Sequence, residues 1–132
     1  MKKRLVAGAA MGAAIMAGSL LAATPANAAW AFCNPGYLCA YYDSNGNGPN
    51  FAGQYDNPSW NGSWGYYNNV TSSLWNNGTM SNVNVYVNMN YSGANFTVYR
   101  GTTKRHTDLF WDTTGGRPAG YWNDNLESNL WL

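Results

Sequence analysis

The sequence of 132 residues has a single histidine, His106, and only 10% charged residues. One histidine leaves little room for a histidine-based catalytic triad or a histidine metal site. Asp108 and Asp112 could form a carboxylate pair for glycoside hydrolysis, but solvated loop acids are the simpler interpretation. The chain also lacks the basic stripe with which duplex-binding proteins neutralise phosphates. We therefore expect no enzyme activity, no required cofactor and no nucleic-acid partner.

A long apolar run is found only at the start of the chain. Lys2, Lys3 and Arg4 precede an apolar stretch, residues 5–23, and the small-x-small sequence Ala26-Asn27-Ala28 follows it. This arrangement predicts a secretory signal peptide over residues 1–28. The mature chain, residues 29–132, is then expected to be one secreted, monomeric domain that does not associate with the membrane.

Long helical patterns are missing as well. No stretch of about a dozen residues keeps a helical apolar period without an interrupting Gly, Pro or Asn. The chain has 15 glycines, and its tryptophans, tyrosines and phenylalanines number seven, ten and four. Short strands between frequent turns predict an all-β sandwich or barrel.

The chain has only two cysteines, Cys33 and Cys39. In an exported protein the default expectation for such a pair is a disulfide. Pro35 and Gly36 lie between them and supply a turn that could bring them together. We therefore predict one short-range disulfide near the mature N-terminus.

Two segments of the first half recur in the second. The pattern of Tyr, six residues, Gly, any residue, Asn and Phe starts at Tyr41 and again at Tyr86, 45 residues later. The sequence from Ser72 to Trp75 aligns with that from Ser128 to Trp131, 56 residues later. The chain is therefore predicted to be a duplication. About eleven extra residues are expected in the second half, between Phe96 and Gly120.

These residues resemble a known family. The Tyr-x6-Gly hairpins and the later sequence from Asn68 to Ser73 resemble the Greek key of the βγ-crystallins. The sequence from Asp124 to Asn129 departs from that motif at its last position, where Asn replaces Ser. With the leader, the small size and the Cys-x5-Cys spacing, the chain is similar to secreted peptidase inhibitors of this fold, of the streptomycete metalloproteinase inhibitor type.

The resemblance implies a βγ-crystallin-like sandwich of two Greek keys with about eight antiparallel strands. The first key would cover about residues 37–78. The second would cover about 81–132, with an insertion near 101–118. The implied function is inhibition of an extracellular protease, expected to be a metalloproteinase, through an exposed loop.

The wider superfamily binds Ca²⁺ at the Asn/Asp-Asn/Asp-x-x-Ser/Thr-Ser corner. If the motif is carried over, both halves supply candidate Ca²⁺ ligands. Val70 and Leu126 would bind through their backbone carbonyls. The candidates are Asn69, Val70, Ser72, Asp124, Asn125, Leu126 and Ser128. Amide, hydroxyl and carbonyl oxygens suit Ca²⁺, although the low ligand charge predicts weak binding. A corner held only by hydrogen bonds of Ser and Asn is the alternative. A Ca²⁺-stabilised structural module is therefore an alternative function.

All basic residues of the predicted mature chain lie between residues 100 and 117. Charge gathered on one loop suggests a contact surface. The residues expected to contact a protease are Lys104, Arg105, His106, Leu109, Phe110, Trp111 and Arg117. In the alternative, residues 108–112 form a strand with their aromatic side chains in the core, and residues 101–105 or 113–118 are exposed. No second disulfide is present to hold this region.

Aromatic residues provide a third hypothesis, carbohydrate or cell-wall binding. Trp60, Trp64, Tyr66 and Tyr67 lie close together in a segment rich in Gly and Asn. Exposed aromatic rings can stack on sugar rings, but aromatic residues of such folds also fill the core and hairpins.

Overall fold

The computed structural model describes residues 29–63 and 68–132, and of Gly62 and Ser63 only the backbone. The predicted signal peptide lies outside the described residues. The described part contains six strands, one short α-helix, α1 (Trp60–Ser63), and two short 3₁₀ segments, Ser44–Gly46 and Thr114–Gly116. The strands are β1 (Leu38–Tyr41), β2 (Asn50–Gly53), β3 (Ser73–Asn76), β4 (Val83–Asn88), β5 (Ser92–Val98) and β6 (Ser128–Trp131). The described residues contain no helix long and apolar enough to cross a membrane.

The strands form two three-stranded antiparallel sheets with matching topology. Their orders are β2-β1-β3 and β5-β4-β6, so the first strand of each half is central. Tyr41 of β1 pairs with Ser73 of β3, and Tyr86 of β4 pairs with Ser128 of β6. Ser128 is therefore the counterpart of Ser73, at an offset of 55 residues. The predicted alignment of Ser128 with Ser72, at an offset of 56, is wrong by one residue.

Each half adds one antiparallel bridge to the sheet of the other half, and Arg100 of the second half adds a parallel bridge to Asn76. Asn57 forms an isolated bridge with Asn129 of β6, and His106 forms one with Leu74 of β3. These bridges lie where a fourth strand of each sheet would be. The described residues therefore contain six strands rather than the predicted eight, because the two outermost strands are each shortened to one bridging residue.

The bridges also show where the second half is longer. The offset between the halves is 45 residues at the hairpins, 49 at the bridging residues Asn57 and His106, and 55 at Ser73 and Ser128. Ten extra residues are thus present rather than eleven, and they form two insertions rather than one near 101–118. Four lie in residues 99–105, and six lie in residues 110–123.

The hydrophobic core lies between the sheets and is built from both halves. Its fully covered residues include Trp60 and Leu109, whose backbone N–H groups donate to Glu127 and Ser72 respectively. The other core residues are Leu38, Ala40, Leu74, Val83, Val85, Phe96, Val98, Trp122 and Leu126. Because Trp60 is 0% exposed, it cannot stack on a sugar as the carbohydrate hypothesis required. Trp64, Tyr66 and Tyr67 lie outside the described residues.

A serine hydroxyl fastens each hairpin to the last strand of its half. Ser73 Oγ accepts from the backbone N–H of Gly46 at 2.9 Å and donates to the carbonyl of Asp43 at 2.7 Å. Ser128 Oγ makes the matching bonds with Tyr91 and Asn88 at 3.2 and 2.6 Å. Both serines are fully covered, so removing either hydroxyl would break two hydrogen bonds to the hairpin backbone.

The motif glycines permit these folded hairpins. Gly48 and Gly93 have φ angles of 73° and 78°, which residues with a Cβ rarely adopt. At Gly48 a Cβ would approach Asp43 Oδ2 to 2.5 Å. The glycine of the Tyr-x6-Gly pattern is therefore needed both for its backbone angle and for space.

Ser73→Ala and Ser128→Ala should each lower the free energy of unfolding by about 1–3 kcal/mol, because a fully covered hydroxyl and its two hydrogen bonds to the hairpin backbone are lost. Urea denaturation of each variant measures the change. Ser92→Ala is the matched control, since the Ser92 hydroxyl also donates to a backbone carbonyl but is exposed. Equal effects at all three positions would contradict the assignment.

Candidate functional site

The longest insertion, residues 110–123, is called the long loop here. It leaves the core at Leu109, which is 0% exposed, and returns to it at Trp122, which is 1% exposed. Leu109 therefore cannot contact a protease, contrary to the prediction. The alternative of a core strand over residues 108–112 is also wrong, because this stretch forms turns with Phe110 45% and Trp111 71% exposed.

Hydrogen bonds hold the long loop at several points. The N–H of Gly120 donates to the carbonyl of Phe110 at 2.6 Å, which closes the loop at its base. Trp122, anchored in the core, donates its indole N–H to the carbonyl of Thr114 at 3.0 Å. The guanidinium of Arg117 lies 4.6 Å from the centre of the Tyr121 ring. The loop is therefore ordered without a disulfide of its own.

His106 and Asp112 link the loop to the sheet. His106 Nδ1 and Asp112 Oδ2 form a side-chain hydrogen bond, and both side chains are about 15% exposed. The His106 ring also packs on Phe96, with 4.8 Å between ring centres. The backbone of His106 exchanges both hydrogen bonds with Leu74 of β3. His106 was predicted to contact a protease, but the structure makes it a support for the loop.

Burial alone would raise the pKa of Asp112. The hydrogen bonds from His106 and Thr114 outweigh it and lower the pKa from 3.8 to about 2. Thr114 contributes its backbone N–H, 2.9 Å from Asp112 Oδ1. The Asp112 carboxylate thus joins the sheet on one side to the loop on the other.

Arg105 lies against the N-terminal segment. Its guanidinium carbon is 3.9 Å from the centre of the Trp75 ring and 4.9 Å from that of Trp30. Trp30 in turn covers Gly46, where a Cβ would approach the indole to 2.3 Å. Of the predicted contact residues, Lys104, Phe110, Trp111 and Arg117 are exposed, whereas Arg105 and His106 are partly covered.

The predicted disulfide between Cys33 and Cys39 is confirmed, with 5.8 Å between the Cα atoms. It joins the N-terminal segment to β1, and both residues lie in a small cluster with Tyr41 and Trp75. Burial raises the pKa of Tyr41 to about 12, although the charge of Arg105 opposes the change. The hydroxyl of Tyr41 donates to the carbonyl of Ala31 at 3.2 Å, which fastens the same segment.

The two motif corners, one from each half, are hydrogen-bonded to each other. The N–H of Asn69 donates to the carbonyl of Leu126, and the N–H of Asp124 donates to the carbonyl of Thr71, both at 3.1 Å. Asn69 and Asp124 also share a left-handed backbone, with φ of 55° and 52°. The offset is again 55 residues.

This offset makes Glu127, not Ser128, the counterpart of Ser72. Glu127 Oε1 accepts from Asn69 Nδ2 at 2.8 Å, and its Oε2 accepts from the N–H of Met89 at 3.1 Å. Sequence reasoning missed Glu127 because it aligned the motifs by their Leu-Trp ends. Alignment by the Asn-Asn and Asn-Asp pairs would have found it.

Several of the predicted Ca²⁺ ligands already use polar groups in hydrogen bonds within the protein. Ser128 is used by the hairpin bonds described above, and Leu126 accepts from Asn69. Asn125 donates its side-chain amide to the carbonyl of Tyr121. The carbonyl of Ser72 accepts from Leu109.

Other oxygen atoms of this region have no partner. Asn68 Oδ1, Asn69 Oδ1 and Thr71 Oγ1 are covered and without a hydrogen bond in the described structure. Desolvation raises the pKa of Asp124, a shift that a hydrogen bond from Asn123 reduces. The described residues contain no group of three or more His, Cys, Asp or Glu side chains that could hold a metal ion.

Solved structures with the same architecture define the fold class. A βγ-crystallin from Ciona intestinalis is 15% identical, with a TM-score of 0.57, over 74% of this chain and 100% of that one. A βγ-crystallin from an archaeon is 18% identical, with a TM-score of 0.54, over 75% and 100%. A domain related to the eye-lens βγ-crystallin fold is 19% identical, with a TM-score of 0.59, over 74% and 86%. The predicted βγ-crystallin-like fold is confirmed.

Residues 26–98 match the model of peptidase inhibitor family I36, which is more than half of the sequence. The chain therefore belongs to this peptidase inhibitor family, and it is a non-enzymatic protein whose partner is a protease. No curated protein matches the sequence. The family match ends at Val98, so both insertions of the second half lie beyond it.

Acid should weaken the fold through Asp112. Since the folded-state pKa of Asp112 is lowered from 3.8 to about 2, its contribution is present above about pH 4 and is lost as the pH falls towards 2. Asp112→Asn should remove this part of the pH dependence of the free energy of unfolding. Asp108→Asn is the control, because Asp108 Oδ1 accepts from the N–H of Phe110 and an amide oxygen can do the same. A D112N variant with the wild-type acid profile would contradict the assignment.

Proposed function

We propose that the protein is a secreted inhibitor of an extracellular metalloproteinase, and that the long loop enters the active-site cleft of the enzyme. The observation that carries the proposal is the exposure of Phe110 and Trp111 at the start of an ordered loop. These residues lie only one and two positions beyond the fully buried Leu109. A large apolar side chain is thereby presented to solvent by a rigid support.

Rigidity is the physical requirement for such a loop. A flexible loop would lose conformational freedom on binding and would be cleaved as a substrate, whereas a preordered loop avoids much of this cost. The bonds from Gly120 to Phe110 and from Trp122 to Thr114 supply the preordering, together with the His106–Asp112 pair.

Trp111 suits the metalloproteinase class in particular. Enzymes of the thermolysin type favour a large apolar residue after the bond that they cleave. The Trp111 ring is 71% exposed and packs edge-on against Phe110, with 4.9 Å between ring centres. Exposed aromatic residues of this kind are frequent hot spots of protein interfaces. The exposed cations Lys104 and Arg117 would favour an acidic rim around the cleft.

Secretion is part of the proposal. The sequence of residues 1–28 has the three regions of a signal peptide, and the Cys33–Cys39 disulfide is typical of an oxidising compartment. A protease inhibitor released in this way would meet extracellular enzymes.

The test is a titration of thermolysin with the purified mature chain, residues 29–132, with trypsin as the serine protease for comparison. We expect stoichiometric inhibition of thermolysin only, and slow cleavage at one bond of the long loop. Residual activity and intact mass are followed together. Thermolysin that stays fully active at excess protein would overturn the metalloproteinase assignment.

Trp111→Ala should raise the inhibition constant about 30-fold or more, since loss of a hot-spot side chain costs about 2 kcal/mol or more. Tyr55→Ala is the matched control, because Tyr55 is also a large aromatic residue and is 80% exposed. The control should inhibit like the wild type. If both variants lose inhibition equally, or neither does, the long loop is not the contact.

As a second candidate function, we propose that the two hydrogen-bonded motif corners bind Ca²⁺ and that the ion stabilises the domain. The unpartnered oxygens of Asn68, Asn69 and Thr71 support it, since Ca²⁺ prefers oxygen ligands. Glu127, bonded to Asn69, adds a carboxylate to the same region.

Millimolar Ca²⁺ should raise the melting temperature, as expected for a site with a dissociation constant of about 10⁻⁴–10⁻³ M. Glu127→Gln should abolish the increase, whereas Asp43→Asn, at an exposed carboxylate of the first hairpin, should keep it. Differential scanning calorimetry with and without Ca²⁺ measures both. A melting temperature that does not change with Ca²⁺ would leave the corners as purely structural elements.

A further inference from the structure

A cleft of about 240 Å³ lies at the junction between the two halves, away from the long loop. Its walls come from the turn before β1, the end of β2, the segment between β3 and β4, and the end of β6. The lining residues are Gly36, Gln54, Thr79, Met80, Ser81 and Trp131. Ligand sites are common at such junctions between structural units.

Trp131 forms a fixed wall of this cleft. Its ring lies directly against Gly78, where a Cβ would approach Trp131 Cζ3 to 2.7 Å. The backbone N–H of Trp131 donates to Asp56 Oδ1 at 2.8 Å, and the ring packs against the main core. An indole held in this way offers a preordered apolar surface.

Three of the remaining side chains supply uncharged polar groups, and the exposed Met80 adds an apolar one. The side chains of Gln54, Thr79 and Ser81 have no hydrogen-bond partner among the described residues. The backbone beside them is nevertheless fixed, since the carbonyl of Thr79 accepts from Arg100 Nη1 and that of Ser81 accepts from Asn76 Nδ2. Ready donors and acceptors thus surround the indole on a rigid backbone.

We propose that this cleft binds one neutral sugar ring. The C–H face of a pyranose would lie on the Trp131 indole, and its hydroxyls would bond to Gln54, Thr79 and Ser81. Among the described residues, the side chains that line the cleft are uncharged, which disfavours phosphates and acidic peptides. Its volume is below the roughly 300–1,000 Å³ of sites for drug-sized ligands, which suits a single ring.

Such a site would tether the inhibitor to a polysaccharide outside the cell. The cleft and the long loop use different residues, so one protein could bind a sugar and a protease at the same time. The carbohydrate site is therefore assigned to Trp131, not to the buried Trp60.

The test is an NMR titration of the ¹⁵N-labelled mature chain with the methyl glycosides of glucose, galactose, mannose and N-acetylglucosamine. We expect at least one of them to shift the indole N–H signal of Trp131 and the backbone signals of residues 79–81. The signal is assigned with Trp131→Phe, which keeps an aromatic wall. If none of the four glycosides shifts these signals, the proposal is overturned.

Gln54→Ala and Thr79→Val should each weaken binding of the active glycoside at least tenfold, while inhibition of the protease stays unchanged. Thr102→Val is the matched control, since Thr102 is an exposed threonine outside the cleft. Wild-type glycoside binding by both cleft variants would overturn the assignment. Gln54 and Thr79 are exposed, so neither change is expected to unfold the protein.

Discussion

The fold depends on an exchange between its two halves. Asn57 completes the second sheet and His106 completes the first, each by pairing its backbone with a strand of the other half. The corners repeat the exchange, because Asn69 donates to Leu126 and Asp124 donates to Thr71. Neither half satisfies these buried backbone groups alone, so we expect the halves to fold together.

Within this constraint the two halves have diverged unequally. All ten extra residues belong to the second half, in two insertions on either side of His106. Leu109, three positions after His106, fills the core position that Trp60 takes in the first half. The insertions therefore leave the shared core in place and extend outwards from it, which is where loops carry function.

The fold could be predicted from the sequence because the Tyr-x6-Gly pattern reflects a backbone requirement of the folded hairpin. Gly48 and Gly93 adopt positive φ, and their equal spacing from Tyr41 and Tyr86 reveals the repeat. The bridging segments could not be found in this way. Asn57 and His106 take equivalent places through backbone bonds alone, and backbone pairing leaves no mark on residue type.

The site was predicted less well than the fold for a related reason. Exposure rises sharply from Leu109 to Trp111, and no apolar period in the sequence separates the buried leucine from the exposed aromatic residues beside it. Glu127 was missed because two alignments of the motifs were possible, and the pairing of Tyr86 with Ser128 shows which one is correct. The repeated hairpins could be predicted from sequence patterns, whereas the burial of Leu109 and the exposure of Phe110 and Trp111 depend on tertiary contacts.

His106 explains how the long loop can be ordered without a second disulfide. Its backbone belongs to the exchange that the whole fold requires, while its imidazole holds Asp112 at the base of the loop. A disulfide restrains a loop by a covalent link. Here a residue that cannot move without breaking the sheet serves the same purpose. The order of the long loop is therefore coupled to the stability of the fold itself, and conditions that weaken the His106–Asp112 pair should loosen the loop before they unfold the sheets.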